Sequence, residues 1–253
     1  MGLFKGGNPA INEKVFNNIS IANDQELMTV NGAMKKFGLM LIMVLGAASF
    51  TWGLYYQLGG QAVMPWAVGS SIGGFIVAMI IIFKKSWAPY LALAYALLQG
   101  LFLGAISAVF DDAFHDKYPG IVMQAVLLTF GVGIGMFALY YFRIIKATNT
   151  FKKIVIGATI GIALFYLVAM IMNMFGGEMP YLHSNGAMGI GISVFVVVIA
   201  ALNLVLDFDL IEQGATQGAP KYFEWYCAFG LMVTIIWLYL EILKLLSKLA
   251  SRR

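Results

Sequence analysis

The sequence predicts an all-α polytopic membrane bundle of seven transmembrane helices, and three observations lead there. The chain of 253 residues is 61% hydrophobic and only 11% charged, whereas roughly a quarter of the residues in a soluble domain carry charge. Seven runs approach the roughly 20 apolar residues needed to cross about 30 Å of hydrocarbon. The runs are continuous, where barrel strands would alternate over about ten residues, and a helix satisfies every backbone group within its own segment.

A polar arm, residues 1–36, comes first. It has no short apolar core or cleavage site, so it is no signal peptide, and Gly6 stands where a myristoylation pattern needs Ser or Thr. The runs follow at about 37–57, 64–83, 88–110, 121–142, 154–175, 187–211 and 222–249, making 37–249 the bundle and 250–253 a basic tail. The second run has no charge. The third, fourth and fifth carry small residues four apart, Gly100/Gly104, Gly131/Gly135 and Gly157/Gly161, a spacing that lets helix backbones approach closely in lipid. The Gly131–Gly135 stretch is no phosphate loop, lacking a preceding strand and a Lys-Ser/Thr. No internal repeat suggests the inverted symmetry of many transporters. The acidic residues Asp207, Asp209, Glu212, Glu224 and Glu241 sit in or beside the last two runs.

Lys and Arg fix orientation. The arm holds Lys5, Lys14, Lys35 and Lys36; later loops on that side hold Lys84, Lys85, Arg143, Lys146, Lys152 and Lys153. The opposite loops hold only Lys117, beside Asp111, Asp112 and Asp116. The N-terminus is therefore expected in the cytoplasm. Seven crossings put Lys244, Lys248, Arg252 and Arg253 outside, against the same rule. Six crossings plus a re-entrant or interfacial segment put them inside. Seven is preferred, because early helices dominate orientation.

Composition also limits chemistry. One cysteine, Cys227, allows no intrachain disulfide and no thiolate cluster. The net charge of +4 comes from membrane edges, with no basic, aromatic-interleaved surface for nucleic acid. His115 and His183 fall in outer loops, no helix offers His-Glu-x-x-His, and no Ser in a Gly-x-Ser-x-Gly setting has a membrane histidine to face. An aspartyl protease needs two acids sharing a proton; Asp207 supplies one, and the rest of that pattern is missing. No enzyme and no bound cofactor are expected.

A carboxylate at bilayer depth costs several kcal/mol unless protonated, paired or hydrated, so the five acids are functional candidates by default. The C-terminal third, NLVLDFDLIEQGATQGAPKYFEWYCAFGLMVTIIWLYLEILKLLSKLASRR from Asn203, ends one helix in Asp-x-x-Leu-Ile and runs the next through Leu-Tyr-Leu-acid into a basic tail. With YALLQGLFLGAISAVF from Tyr95 and GNPAINEKVF from Gly7, it resembles the Bax inhibitor/YccA family, in its YccA-like bacterial branch. The resemblance implies six helices around a central C-terminal one, and a pH-sensitive calcium leak channel sensed by paired acids in the last two helices. The family's acids fall on Asp207 and Glu241, a Glu in place of Asp, as a pH-sensing and calcium-binding pair.

Two departures stand out. The family pair is closer in sequence. In one straight helix from Lys221, Glu241 would lie roughly 30 Å along, at about 1.5 Å per residue, beyond reach of Asp207. The pair is restored if Pro220–Gly230 lies along the interface and spanning starts near Leu231; otherwise Glu224 becomes the better neighbour of Asp207. The basic latch of an early family helix also has no equivalent; either Lys244, one turn past Glu241, replaces that cation or the latch is absent. Each acid has a plainer role too. Asp209 and Glu212 suit a solvated helix end, with Asp209 flanking rather than binding, and Glu224 an interfacial position. Asp207 and Glu241 could snorkel or pair with lysine.

Calcium takes six to eight oxygen ligands. Close carboxylates titrate as a unit, and a divalent ion relieves their repulsion, which suits proton-gated passage of calcium or other cations. A proton-coupled cation transporter, or a non-conducting regulator acting through a membrane protease, would use the same residues. The host is read as the bacterial inner membrane.

Overall fold

The computed structural model describes residues 27–176 and 186–252. Features expected on the other residues, among them the arm up to residue 26, His183 and Arg253, lie outside the described residues. Seven helices follow in order: α1 Val30–Leu58, α2 Gly60–Phe83, α3 Ala88–Phe114, α4 Ile121–Tyr141, α5 Asn149–Met174, α6 Ala187–Thr216 and α7 Phe223–Ala250. All are long and apolar enough to span a membrane, and the architecture is an all-α polytopic bundle.

Local chemistry sets the boundaries. Thr29 caps α1, its hydroxyl accepting the Gly32 N–H at 2.9 Å, and Thr148 caps α5 through Phe151 N–H at 3.2 Å; such caps satisfy donors that have no partner within the helix. With that cap α1 starts at Val30, ahead of the apolar run, and takes Lys35 and Lys36 into its first turns. Gly59 alone separates α1 from α2, and its φ of 83° lets the chain reverse in one residue.

Helix α7 is the centre, packed against α1, α3, α4 and α6. Helix α2 leans on α1 and α3, and α5 on α6. The Ser107 and Tyr239 hydroxyls, 2.6 Å apart, join α3 to α7. The interfacial segment considered for Pro220–Gly230 is not formed: α7 runs unbroken from Phe223 through Gly230. Glu224, Cys227, Ala228 and Phe229 are all buried there, with Phe229 edge-on to Tyr95 at 4.8 Å. A segment that packs on both sides gains more inside the bundle than in the headgroup layer.

The glycine pairs do not behave alike. A Cβ on Gly100 would strike the Val44 carbonyl and the Ala47 side chain, and one on Gly104 the Ala48 carbonyl and Thr51. That pair is the seam between α3 and α1, where Thr51 Oγ1 also donates to Leu101 O at 3.0 Å. Around Gly131, Gly135, Gly157 and Gly161 a Cβ would meet nothing within 4 Å. The packing expected of those four is therefore absent from the described residues.

Lysine contacts mark the two ends. Lys36 joins Glu224 at the start of α1 and α7, while Lys248 reaches Ser193 Oγ at 2.8 Å and Gly189 O at 3.0 Å at the other end. Seven antiparallel spans put Thr148 and Ser251 at opposite ends. With Cys227→Ala as background, an impermeant thiol reagent should label Thr148→Cys and Ser251→Cys from different sides. Labelling of both from one side would refute seven crossings.

Candidate functional site

The end of the bundle that carries Lys36 is the basic one. There the turn between α4 and α5 is tied to α6. Arg143, in the left-handed region at φ 59°, forms an ion pair with Glu212, which also accepts from the Tyr140 hydroxyl. Hydrogen bonding to Glu212 raises the Arg143 guanidinium above its ordinary value. Lys152 pairs with Asp209, whose carboxylate also accepts from Gln213.

Glu224, in the first turn of α7, is fully buried. It accepts the Thr29 N–H at 2.8 Å and the Thr29 hydroxyl at 3.1 Å, and is ion-paired with Lys36 and, at 3.6 Å, with Lys221. Just before α1 the chain is strapped across the turn between α6 and α7. Leu27 opposes Pro220 in an antiparallel bridge, Met28 N–H donates to Ala219 O at 2.8 Å, and the Met28 side chain is buried over Gly214.

Asp207 stands further in, between α6 and α7. Its carboxyl faces α7 near Thr234 and Gly230, where a Cβ would be 3.7 Å from Oδ1, and the Thr234 hydroxyl donates to Gly230 O at 3.3 Å. Oδ2 is buried and has no hydrogen-bond partner among the described residues. One turn earlier on α6, Asn203 donates to Thr159 of α5 at 2.8 Å. Towards the far end, Glu241 is buried, accepts from the Tyr166 hydroxyl of α5 at 3.0–3.1 Å, and is paired with Lys244 at 3.0 Å. Lys244 also stands 5.0 Å from the Tyr166 ring centre, a favourable cation–π distance.

These groups can be taken in order along α6 and α7, with Thr159 and Tyr166 contributed by α5. The series runs from Asp209 and Glu212 through Asp207 with Thr234, Asn203 with Thr159, and Glu241 with Tyr166, to Lys248 with Ser193. A separate cavity of about 200 Å³ between α1, α3, α4 and α7 is lined mostly by apolar side chains, with the hydroxyl residues Ser49, Ser107, Thr129 and Tyr239 among them and no charged residue. Among the described residues no three His, Cys, Asp or Glu side chains converge as a metal site.

A family model described as Bax inhibitor 1 like matches residues 8–251. The chain belongs to this Bax inhibitor 1 like family. It is an integral membrane protein. No curated protein matches it.

Within this Bax inhibitor 1 like chain, the structure separates the acids expected to act together. Asp207 contacts α7 at Gly230 and Thr234; Glu241 follows Thr234 by seven residues, about 10 Å along a helix. Glu224 is no neighbour of Asp207 either, because its carboxylate turns to Thr29 and Lys36. Asp209 and Glu212, considered as solvated ends, are held by Lys152 and Arg143. Lys244 is the cation beside Glu241.

The site also contains residues that sequence reading passed over: Thr234, Tyr166, Thr159 and Asn203. A signal existed. Each pair of them with an acid, Asn203/Asp207 and Thr234/Glu241, recurs at four or seven residues, one face of a helix. Single hydroxyls in an apolar run are ordinarily satisfied by their own helix, as Thr159 is by Val155 O at 2.8 Å, so they carry little weight alone.

Proposed function

We propose that the protein is a pH-sensitive cation leak channel of the bacterial inner membrane, with calcium as its permeant ion and its N-terminus in the cytoplasm. The observation that carries this reading is Asp207. Four of the five membrane acids are paired with a lysine or arginine, and Asp207, among the described residues, is not. A protonated carboxyl can rest against Thr234 and Gly230. A carboxylate there requires water or a cation, since burying an unpaired charge is costly. Loss of the proton therefore favours parting of α6 from α7 and entry of a cation from the basic end.

The rest of the series supports passage beyond Asp207, because Asn203, Thr159, Tyr166 and Glu241 offer oxygen ligands further along. Lys244 acts as the fixed counter-charge of Glu241, a second barrier held shut by an ion pair. Calcium would be held only transiently, by Asp207, Thr234 and water, which suits conduction: binding must be weak enough to release.

The test is calcium flux into liposomes with purified protein alone. Wild type should conduct in a pH-dependent way, and Asp207→Asn should conduct at a rate that no longer responds to pH. Glu241→Gln should change the flux independently of Asp207→Asn, because sites about 10 Å apart with no shared partner usually add. Flux absent at every pH, with the protein shown to be folded, would overturn the channel and favour a regulator acting through a membrane protease.

A further inference from the structure

We propose that the cavity between α1, α3, α4 and α7 is a binding slot for an acyl chain of a membrane phospholipid. Its lining residues recur every three or four positions from Leu41 to Trp52 on α1 and from Val122 to Phe130 on α4, one face of each helix. Both helices pack on α7, whose Met232 and Ile236, both buried, form the floor. Leu45 and Ser49 line the cavity and are exposed, so they mark its mouth on the outer side of α1. The lined stretch of α1 is about 16 Å long at about 1.5 Å per residue, and it stops short of both ends of the 29-residue helix. The mouth therefore opens at a depth where the surroundings are hydrocarbon.

The lining decides the chemistry of the occupant. No charged residue is among it, and its hydroxyls already have partners. Ser49 donates to Leu45 O at 2.8 Å, Thr129 donates to Ala125 O at 2.7 Å, and the Ser107 and Tyr239 hydroxyls meet each other at 2.6 Å. A polar ligand finds little to bond there, whereas methylenes leave no polar group of the wall unsatisfied. The volume of about 200 Å³ exceeds the roughly 150 Å³ of an apolar protein cavity that takes up benzene, so several methylenes fit. A transmembrane helix, about 10 Å across, is too thick to enter. The chain gains no hydrophobic free energy, since it leaves one apolar medium for another. What holds it is the dispersion contact of walls that surround it on several sides.

The probe is a phosphatidylcholine bearing a diazirine midway along one acyl chain, reconstituted in vesicles with the full chain and photolysed, its adducts mapped by peptide mass spectrometry. In the wild type, adducts are expected on the buried floor residues Met232 and Ile236 as well as on exposed residues such as Ile160 of α5. Leu45→Trp, at the exposed mouth, should abolish the adducts on Met232 and Ile236 and leave those on Ile160 unchanged. Val126→Phe, which fills the slot from the α4 wall, should do the same. Size exclusion checks the folding of both, and Leu45→Trp, on an exposed position, decides the matter if Val126→Phe does not fold. Labelling of the floor no stronger than that of Leu204, which is buried in α6 and does not line the cavity, would overturn the proposal. Floor adducts that persist in folded Leu45→Trp would overturn it too, because the chain would then arrive by another route. A fatty acid with the same diazirine that labels the floor where the phosphatidylcholine does not would reassign the slot to a free fatty acid and overturn the phospholipid.

Discussion

Replacing Glu224 by Ala is expected to destabilise the protein by about 3–5 kcal/mol, the range for breaking a buried ion pair by removing one partner. The carboxylate at 224 is fully buried and meets Lys36, Lys221, the Thr29 N–H and the Thr29 hydroxyl. Truncation leaves the half-buried Lys36 ammonium and the Thr29 amide without their acceptor. Glu224→Gln should cost less, because an amide oxygen still accepts from Thr29. The double variant Glu224→Leu with Lys36→Met should recover most of the loss, since an apolar pair of similar volume removes both charges together. Thermal and denaturant unfolding of the purified protein in detergent reads all three. Glu224→Ala within about 0.5 kcal/mol of wild type would show that this contact is not what holds α1 to α7. Because the strap from Leu27 to Thr29 rests on the same carboxylate and on Ala219, the variant should also release the turn between α6 and α7. Asp207 lies on that pair of helices, so a stability change here reaches the proposed gate.

Much of the bundle was legible from composition alone. Seven apolar runs became seven helices, and the family motif pointed to a central C-terminal helix, now seen packed on four others. What failed to show in the sequence was pairing. Glu224 stands among Phe223, Trp225 and Tyr226, the company of an interfacial residue, and nothing local reveals that Lys36, 188 positions earlier, meets it inside the bundle. With that partner hidden, the stretch from Pro220 to Gly230 read equally well as lying on the membrane surface. Once Lys36 neutralises Glu224, that carboxylate no longer holds the segment in the headgroup layer, and α7 runs as one unbroken helix. That in turn sets Asp207 and Glu241 at different depths. The acids were found by cost, because a charge in lipid is conspicuous. Their partners, a threonine and a tyrosine, were not, because an uncharged hydroxyl in an apolar run is not conspicuous at all.

The small-residue pairs carry the same lesson to a result of opposite signs. Gly100/Gly104, Gly131/Gly135 and Gly157/Gly161 share one spacing, yet only the first lies against another helix. A methyl group on Gly104 would run into the main-chain carbonyl of Ala48 and into Thr51, with the Ala48 Cα only 2.6 Å away. Overpacking usually costs about 1–3 kcal/mol, and main chain on the facing helix cannot rotate aside, so Gly104→Ala should fall at or above the top of that range and Gly104→Val should yield little folded protein. Gly135→Ala and Gly161→Ala meet open space. They should be neutral or stabilising by up to about 1 kcal/mol, the helix preference of Ala over Gly. Unfolding in detergent with yield by size exclusion compares the three alanine variants directly. If Gly104→Ala matches Gly135→Ala, the close approach of α1 and α3 is wrong. The consequence extends past packing. The seam fixes the height of α1 against α3, and that height sets Thr29 and Lys36 opposite Glu224. A shift of one turn, about 5.4 Å, would carry Lys36 away from its carboxylate. Gly104→Ala should therefore lose the additional stability that Glu224 confers, and the two substitutions together should destabilise by less than the sum of their separate effects.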